Sequence, residues 1–370
     1  MARHANTLYM IYFECDYGEG CAPAILQALE QTNLEQTVGY GLDPYSLKAQ
    51  QLIADLCGLN SDEHKESGTL QENLWRERET AGAVHFLVGG TQTNTVVINY
   101  LLRPHQGVIA ADCSHINVHE TGAIEHFGHK VLVLPTQDGR LTAAQVQDAL
   151  LQHLYDPNIE HTIQPGMVYL SFPTETGMIY SKSELQAISS VCRQYRVPLY
   201  IDGARLGYGL RSPKADITLR ELAALTDIFY IGGTKQGALF GEALVICNPA
   251  YRKDFRYFIK QGGGMLAKGR LLGLQFLTLF TDNLYWQLSD HAVSQALRIR
   301  QALADKGYPL YMDSYTNQQF TVLTNEQMER LQQRFVLSVV ERTDSGHTVV
   351  RICTDWATDP EIVTQLINAL

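Results

Sequence analysis

Between residues 84 and 248, short apolar runs alternate with segments that carry apolar residues at helical spacing. The runs VHFLVG, GVIAA, KVLVLP, MVYLSFP, PLYIDG, IFYIGG and ALVICN are almost unbroken by polar residues, the pattern of strands buried on both faces. Between them lie TNTVVINYLL, HETGAIEHFG, AAQVQDALLQHL, SELQAISSVCRQYR and TLRELAALT, each with helical period. Upstream, APAILQALEQTN and SLKAQQLIADLCG predict two helices around the turn VGYGLDPY. This alternation predicts an α/β fold with a mostly parallel, seven-stranded sheet covered on both faces. The polar stretch 60–82 has little periodicity and predicts an excursion before the first strand run. From about Arg270 the pattern changes to one long apolar helix ending near Gly307, then the strand-like runs FTVLTN, FVLSVVER and TVVRICT. The predicted organisation is therefore an N-terminal arm (1–22), a large domain (23–269) and a small C-terminal α/β domain (270–370).

A chain of 370 residues is long enough for two such domains, and 45% hydrophobic with 18% charged residues is ordinary for a globular protein. The formal net charge of −10, with no Lys/Arg run, argues against nucleic acid as a partner. Seven cysteines are scattered without C-x-x-C spacing, which predicts free thiols rather than a disulfide framework or zinc ribbon. The N-terminal apolar stretch is broken by Glu14 and Asp16, unlike a signal peptide or membrane span. The expectation is a cytoplasmic enzyme with no membrane partner.

Chemistry concentrates in PLYIDGARLGYG and IFYIGGTKQGALFG. Asp202 ends one apolar strand and Lys235 follows the end of another, one strand–helix–strand unit later. Ligands of open α/β sheets bind beyond the carboxyl ends of strands, so both side chains reach one pocket. A lysine and a carboxylate so placed suit pyridoxal 5′-phosphate: the amine forms an imine with the aldehyde, and the carboxylate keeps the pyridine nitrogen protonated. Thr234 and the flanking glycines leave Lys235 little shielded. In FLVGGTQTNTVV a strand runs through Gly89, Gly90 and Thr91 into a helix, whose bare amides suit a phosphate. No Walker loop and no well-placed G-x-G-x-x-G occurs. His115 follows a strand end, where a flat imidazole suits ring stacking. His115 and His119 are spaced to share a helix face, but no third ligand or H-E-x-x-H glutamate accompanies them, so no metal is expected. Arg351, in the strand run TVVRICT, and Arg205 are candidates for an anionic substrate group.

Taken together, FECDYGEG, GYGLDPY, GGTQTN, SHINVHETGAIE, YIDGARL, GGTKQGALFG and RICTDW resemble, in order and spacing, the threonine aldolases of the β-eliminating lyase group. That resemblance spans nearly the whole chain and implies the aspartate aminotransferase fold (fold type I). It implies pyridoxal 5′-phosphate held by Lys235, with Asp202 at the pyridine nitrogen, His115 stacked on the ring, and Gly90 and Thr91 at the phosphate. It further implies Arg205 and Arg351 at the substrate carboxylate, and His161 near the substrate hydroxyl. Cys15 stands where many members have a carboxylate-binding serine.

The implied reaction is cleavage of a β-hydroxy-α-amino acid such as L-threonine or L-allo-threonine to glycine and an aldehyde, with His115 or His161 as base. The family usually forms homotetramers built from dimers. Two other functions fit the same residues: another fold type I enzyme, such as a β-eliminating lyase or aminotransferase, and a non-catalytic cofactor- or amino-acid-binding protein.

Overall fold

After a short arm strand, β1 (Ile11–Tyr12), all seven apolar runs become strands of one sheet in the computed structural model, which describes residues 10–59 and 82–370. They are β2 (Val84–Leu87), β3 (Gln106–Ala111), β4 (Lys130–Leu134), β5 (Gln164–Ser171), β6 (Leu199–Asp202), β7 (Ile228–Gly232) and β8 (Glu242–Ile246). Their order across the sheet is β2-β8-β7-β6-β5-β3-β4. Only β8 is reversed, pairing antiparallel with both β2 and β7. The predicted excursion around residues 60–81 lies outside the described residues.

Alternate residues along each strand feed two cores, as the period of two requires. Leu199, Ile201, Phe229 and Ile231 enter one, and Tyr200, Ile228 and Tyr230 the other. Helix starts follow the local sequence: Thr142 with Gln145, Ser181 with Glu184, Thr218 with Glu221 and Thr324 with Gln327 each form a capping box.

The long helix predicted after Arg270 is two helices, Arg270–Phe280 and Leu284–Asp305. Asp282 and Asn283 take left-handed backbone (φ 51° and 60°), which short polar side chains tolerate better than others, and this breaks the helix. Phe276, Leu279, Phe280 and Tyr285 pack into one of the two cores of the seven-stranded sheet, whereas Ile299 and Leu303 join a separate core. That separate core lies against the antiparallel sheet β11-β12-β9, made from β9 (Gln318–Thr324), β11 (Ser338–Arg342) and β12 (His347–Cys353). The run FVLSVVER divides into β10 (Phe335–Val336), which pairs with β1, and β11. Phe13 of the arm is buried in the same core, so the arm is anchored on the tail. HETGAIEHFG likewise forms no continuous helix. His115–Val118 is a single turn, and positive φ at Thr121 and Gly122 separates it from Ala123–His126.

Candidate active site

The carboxyl ends of β2, β3, β5, β6 and β7 open on one side of the sheet, and the segments leaving them line a cavity of about 340 Å³. Gly89, Gly90 and Thr91 come from the end of β2, His115 from beyond β3, and Ser171 and Glu175 from the end of β5. Asp202 and Arg205 come from β6, Thr234 and Lys235 from β7, and Glu242 from the start of β8. A larger open cleft of about 600 Å³ runs past Asp138, Arg140 and Glu184, but those groups pair with one another and none of the strand-end residues reaches it.

Asp202 sits in the floor, opposite Ser171 in the pairing of β5 with β6. Its Oδ2 accepts from Tyr169 (2.6 Å) and from Asn94 (3.1 Å), and its Oδ1 accepts from Tyr230 (2.5 Å) and the Ala204 amide (3.0 Å). Burial pushes its pKa up, but the tyrosine hydroxyls and the amide outweigh it, so the carboxyl lies below its usual range and is ionised.

Lys235 is shifted the other way. Burial and then the Arg205 charge lower its pKa, against opposing pulls from Asp16, Asp202 and Glu242. The lowered value favours the free amine, the form that attacks an aldehyde. Glu242 accepts from the Gly233 amide (3.0 Å) and Thr234 Oγ1 (2.9 Å), and burial pushes it up to about 8. Thr234 thus directs its hydroxyl to Glu242.

Gly90 opens a helix of 12 residues whose N-cap, Gly89, is extended and makes no side-chain capping bond. A Cβ on Gly89 would meet nothing within 4 Å, and one on Gly90 would lie 3.0 Å from Tyr230 Oη. The first amides of this helix are therefore open to an anion on the cavity side.

His115 presents its ring to the cavity and is held from behind. Its Nδ1 lies 2.8 Å from Glu120 Oε1, whose side chain is fully buried, and its amide donates to Glu175 Oε1 (2.8 Å). Asn94 Nδ2 donates both to Glu120 (2.8 Å) and to Asp202, while its Oδ1 accepts from Tyr200 (2.8 Å). One amide therefore links the residues behind the imidazole to those under Asp202. His119 lies beside His115, ring centroids 5.6 Å apart; burial, then His115, lowers its pKa. Among the described residues no His, Cys, Asp and Glu cluster converges as a metal site.

The two arginines differ. Arg205 makes a two-pronged pair with buried Asp16, Nε to Oδ2 at 2.6 Å and Nη2 to Oδ1 at 3.0 Å, leaving Nη1 as its remaining donor group. The pair holds Asp16 at about 2, with burial opposing and Arg205 and Lys235 prevailing. Arg351, on β12, is not in the cavity wall. Its guanidinium donates to Gln318 Oε1, the Glu14 carbonyl and Ser338 Oγ, and its Nε is buried with no partner. Both arginines act electrostatically on Tyr17, which does line the cavity. Cys15 is partly buried next to Asp16.

His161 does not join the other predicted residues. It lies on an exposed turn before β5, at the amino end of that strand. The eight-residue strand β5, roughly 25 Å long, runs between it and the cavity end of the strand at Ser171. Conversely, Asp16, Asn94, Glu120, Tyr169, Tyr230, Glu175 and Glu242 were not singled out by sequence. The signal available was positional: Glu175 and Glu242 lie within a few residues of a strand end, and Asn94 is one helical turn after Gly90.

These features agree with the comparisons. A family description, beta-eliminating lyase, matches residues 16–326. The low specificity L-threonine aldolase of Pseudomonas aeruginosa is 28% identical over 360 residues, covering 96% of this chain and 95% of that protein. The structure of Leishmania major threonine aldolase superposes with a TM-score of 0.88 at 39% identity, covering 97% of this chain and 98% of that one. An aspartate aminotransferase from Thermus thermophilus shares the fold at 14% identity, with a TM-score of 0.67 and coverage of 97% and 90%. The chain belongs to the beta-eliminating lyase family, in its threonine aldolase branch, and has the fold type I architecture.

Proposed function

We propose that the protein is a pyridoxal 5′-phosphate-dependent aldolase that cleaves L-threonine and L-allo-threonine to glycine and acetaldehyde. The observation that carries this reading is the gathering of a low-pKa lysine, an ionised aspartate, a backed histidine and an open helix N-terminus around one cavity. In this assignment Lys235 binds the cofactor aldehyde, Asp202 faces the pyridine nitrogen, His115 stacks on the ring, and Gly90 and Thr91 hold the phosphate, with Thr234 lining the site. When bound, the cofactor supplies an electron sink for the Cα carbanion. The free Nη1 of Arg205 holds the substrate carboxylate and so fixes which bond at Cα stands to be broken; Arg351, outside the cavity wall, joins it only by turning away from Gln318, the Glu14 carbonyl and Ser338. Cys15 lies at that end and donates a weaker hydrogen bond than serine would. His161 is left out, for the distance given above.

We further propose the division into arm, large domain and small domain, with the small domain's core beginning inside the Leu284–Asp305 helix. The exposed apolar residues Leu34, Val38, Tyr40 and Leu42 support a homotetramer built from dimers. The free state of all seven cysteines supports a reducing, cytoplasmic setting.

The test is product analysis with L-threonine, L-allo-threonine and their D-forms. Glycine and acetaldehyde in equal amounts are expected from the L-substrates. Ammonia and a keto acid, half-transamination, or a spectral change without turnover would each overturn the aldolase reading.

A further inference from the structure

We infer that Glu175 is the group that takes the proton from the substrate's β-hydroxyl. The inference rests on the aldolase reading and adds the catalytic residue that this reading lacks.

The cavity wall holds four proton acceptors besides Lys235: His115, Glu175, Asp202 and Glu242. Asp202 has two donors on each oxygen and serves the ring nitrogen. Glu242 has a donor on each oxygen and sits on the Lys235 side. His115 would stack on the ring in the proposed assignment, and its Nδ1 is committed to Glu120. Glu175 differs from all three. The His115 amide (2.8 Å) and Ser171 Oγ (2.6 Å) both donate to Oε1, and Glu175's own amide also bonds the carboxyl. Among the described residues no other side chain donates to Oε2, and Glu175 lines the cavity, which leaves this oxygen for a ligand there.

The sheet order puts this oxygen where the reaction needs it. Lys235 leaves β7, Asp202 ends β6, Glu175 leaves β5 and His115 leaves β3, and those strands are neighbours in that order. Glu175 is therefore across Asp202 from Lys235, on the His115 side, where a Cβ substituent pointing away from the lysine would lie. The two donors on Oε1 also fix the carboxylate's orientation, which general base catalysis requires. Burial raises the Glu175 pKa against the pull of Ser171 and the His115 amide, making the carboxylate a better base than an exposed glutamate.

The step balances as follows. The hydroxyl O–H bond breaks and its proton passes to Oε2. The O–H electron pair becomes the second bond of the aldehyde carbonyl as the Cα–Cβ bond breaks. The pair from that bond stays with Cα, which takes up one proton from solvent to become the glycine methylene, while Oε2 returns the hydroxyl proton to solvent, so no net proton is gained or lost.

Glu175→Gln keeps an acceptor at Oε1 but removes the base. On the holoenzyme, L-threonine cleavage is expected to fall about 10²- to 10⁴-fold, the usual contribution of a positioned base. Glycine has no β-hydroxyl, so its dissociation constant, read from the cofactor absorbance, and its α-proton exchange in D₂O, read by NMR, are expected to be unchanged. Glu175→Asp should keep part of the cleavage activity. Thermal melts of both variants establish that they fold. Cleavage at the wild-type rate in Glu175→Gln would overturn the inference, and so would parallel losses of threonine cleavage and glycine exchange. A wild-type enzyme that exchanges glycine but cleaves no threonine would instead remove the aldolase reading on which it rests.

Discussion

Asp16 joins three parts of the molecule at one carboxylate. It follows β1, takes two hydrogen bonds from Arg205 just after β6, and takes a third from Asn317 Nδ2 (2.9 Å) beside β9. The Asp16 side chain has no exposure and that of Arg205 only 13%, so water screens the pair little. A carboxyl held at about 2 instead of the ordinary 3.8 corresponds to about 2–3 kcal/mol of stability near neutral pH. Because the folded pKa is the lower one, that contribution is complete above 3.8 and is lost as pH falls toward 2. Asp16→Asn should cost more, about 3–5 kcal/mol, because it leaves the Arg205 guanidinium buried without its counter-charge. Urea unfolding of wild type, Asp16→Asn, Arg205→Met and the double variant measures this directly. The double variant should be more stable than the sum of the two single losses implies, since no buried charge is then left alone. A loss below about 1 kcal/mol in Asp16→Asn, or strictly additive losses, would refute the argument.

Other consequences are equally open to measurement. Gly203→Ala sets a Cβ 1.9 Å from the Tyr230 carbonyl oxygen, so the backbone must move; a loss of at least about 4 kcal/mol, or failure to accumulate folded protein, is expected in thermal melts. Gly90→Ala crowds Tyr230 Oη at 3.0 Å from the added methyl and should weaken cofactor binding, read by absorbance titration, with little change in melting temperature. Glu242 is raised to about 8 by burial, so its contribution is complete below the unfolded value of 4.5 and is lost as pH rises through 8. Glu242→Gln should therefore gain stability relative to wild type at pH 9 and lose that advantage at pH 5. Equal pH profiles for the two proteins would contradict this.

Much of the fold was legible because buried strands announce themselves as unbroken apolar runs, and the seven central strands lie where those runs lie. Strand direction was not legible. Periodicity is the same for either direction, so the reversal of β8 emerges only from its pairing. The break at Thr281–Asn283 was hidden for a related reason: TDN is compatible with a polar helix face, and only left-handed backbone at Asp282 and Asn283 ends the helix.

At the site, Gly90, His115, Asp202 and Lys235 could be picked out because each stands at or just beyond a strand's carboxyl end, where topology alone directs side chains to one cavity. Their partners could not. Asn94 reaches Asp202 across 108 residues of chain and Asp16 reaches Arg205 across 189, and no local pattern encodes such contacts. His161 shows the converse, since a histidine at a plausible distance in sequence lies at the wrong end of β5. Arg205, conspicuous as a cation in sequence, is half neutralised by a residue of the arm.

The central claim is that residue 235 carries the cofactor. Borohydride reduction of the purified holoenzyme, followed by proteolysis and mass spectrometry, fixes the linkage to a single side chain. A phosphopyridoxyl group is expected on Lys235 and should be lost, with the visible absorbance band, in Lys235→Ala. The same modification found on another lysine, or an absorbance band that survives Lys235→Ala, would contradict it.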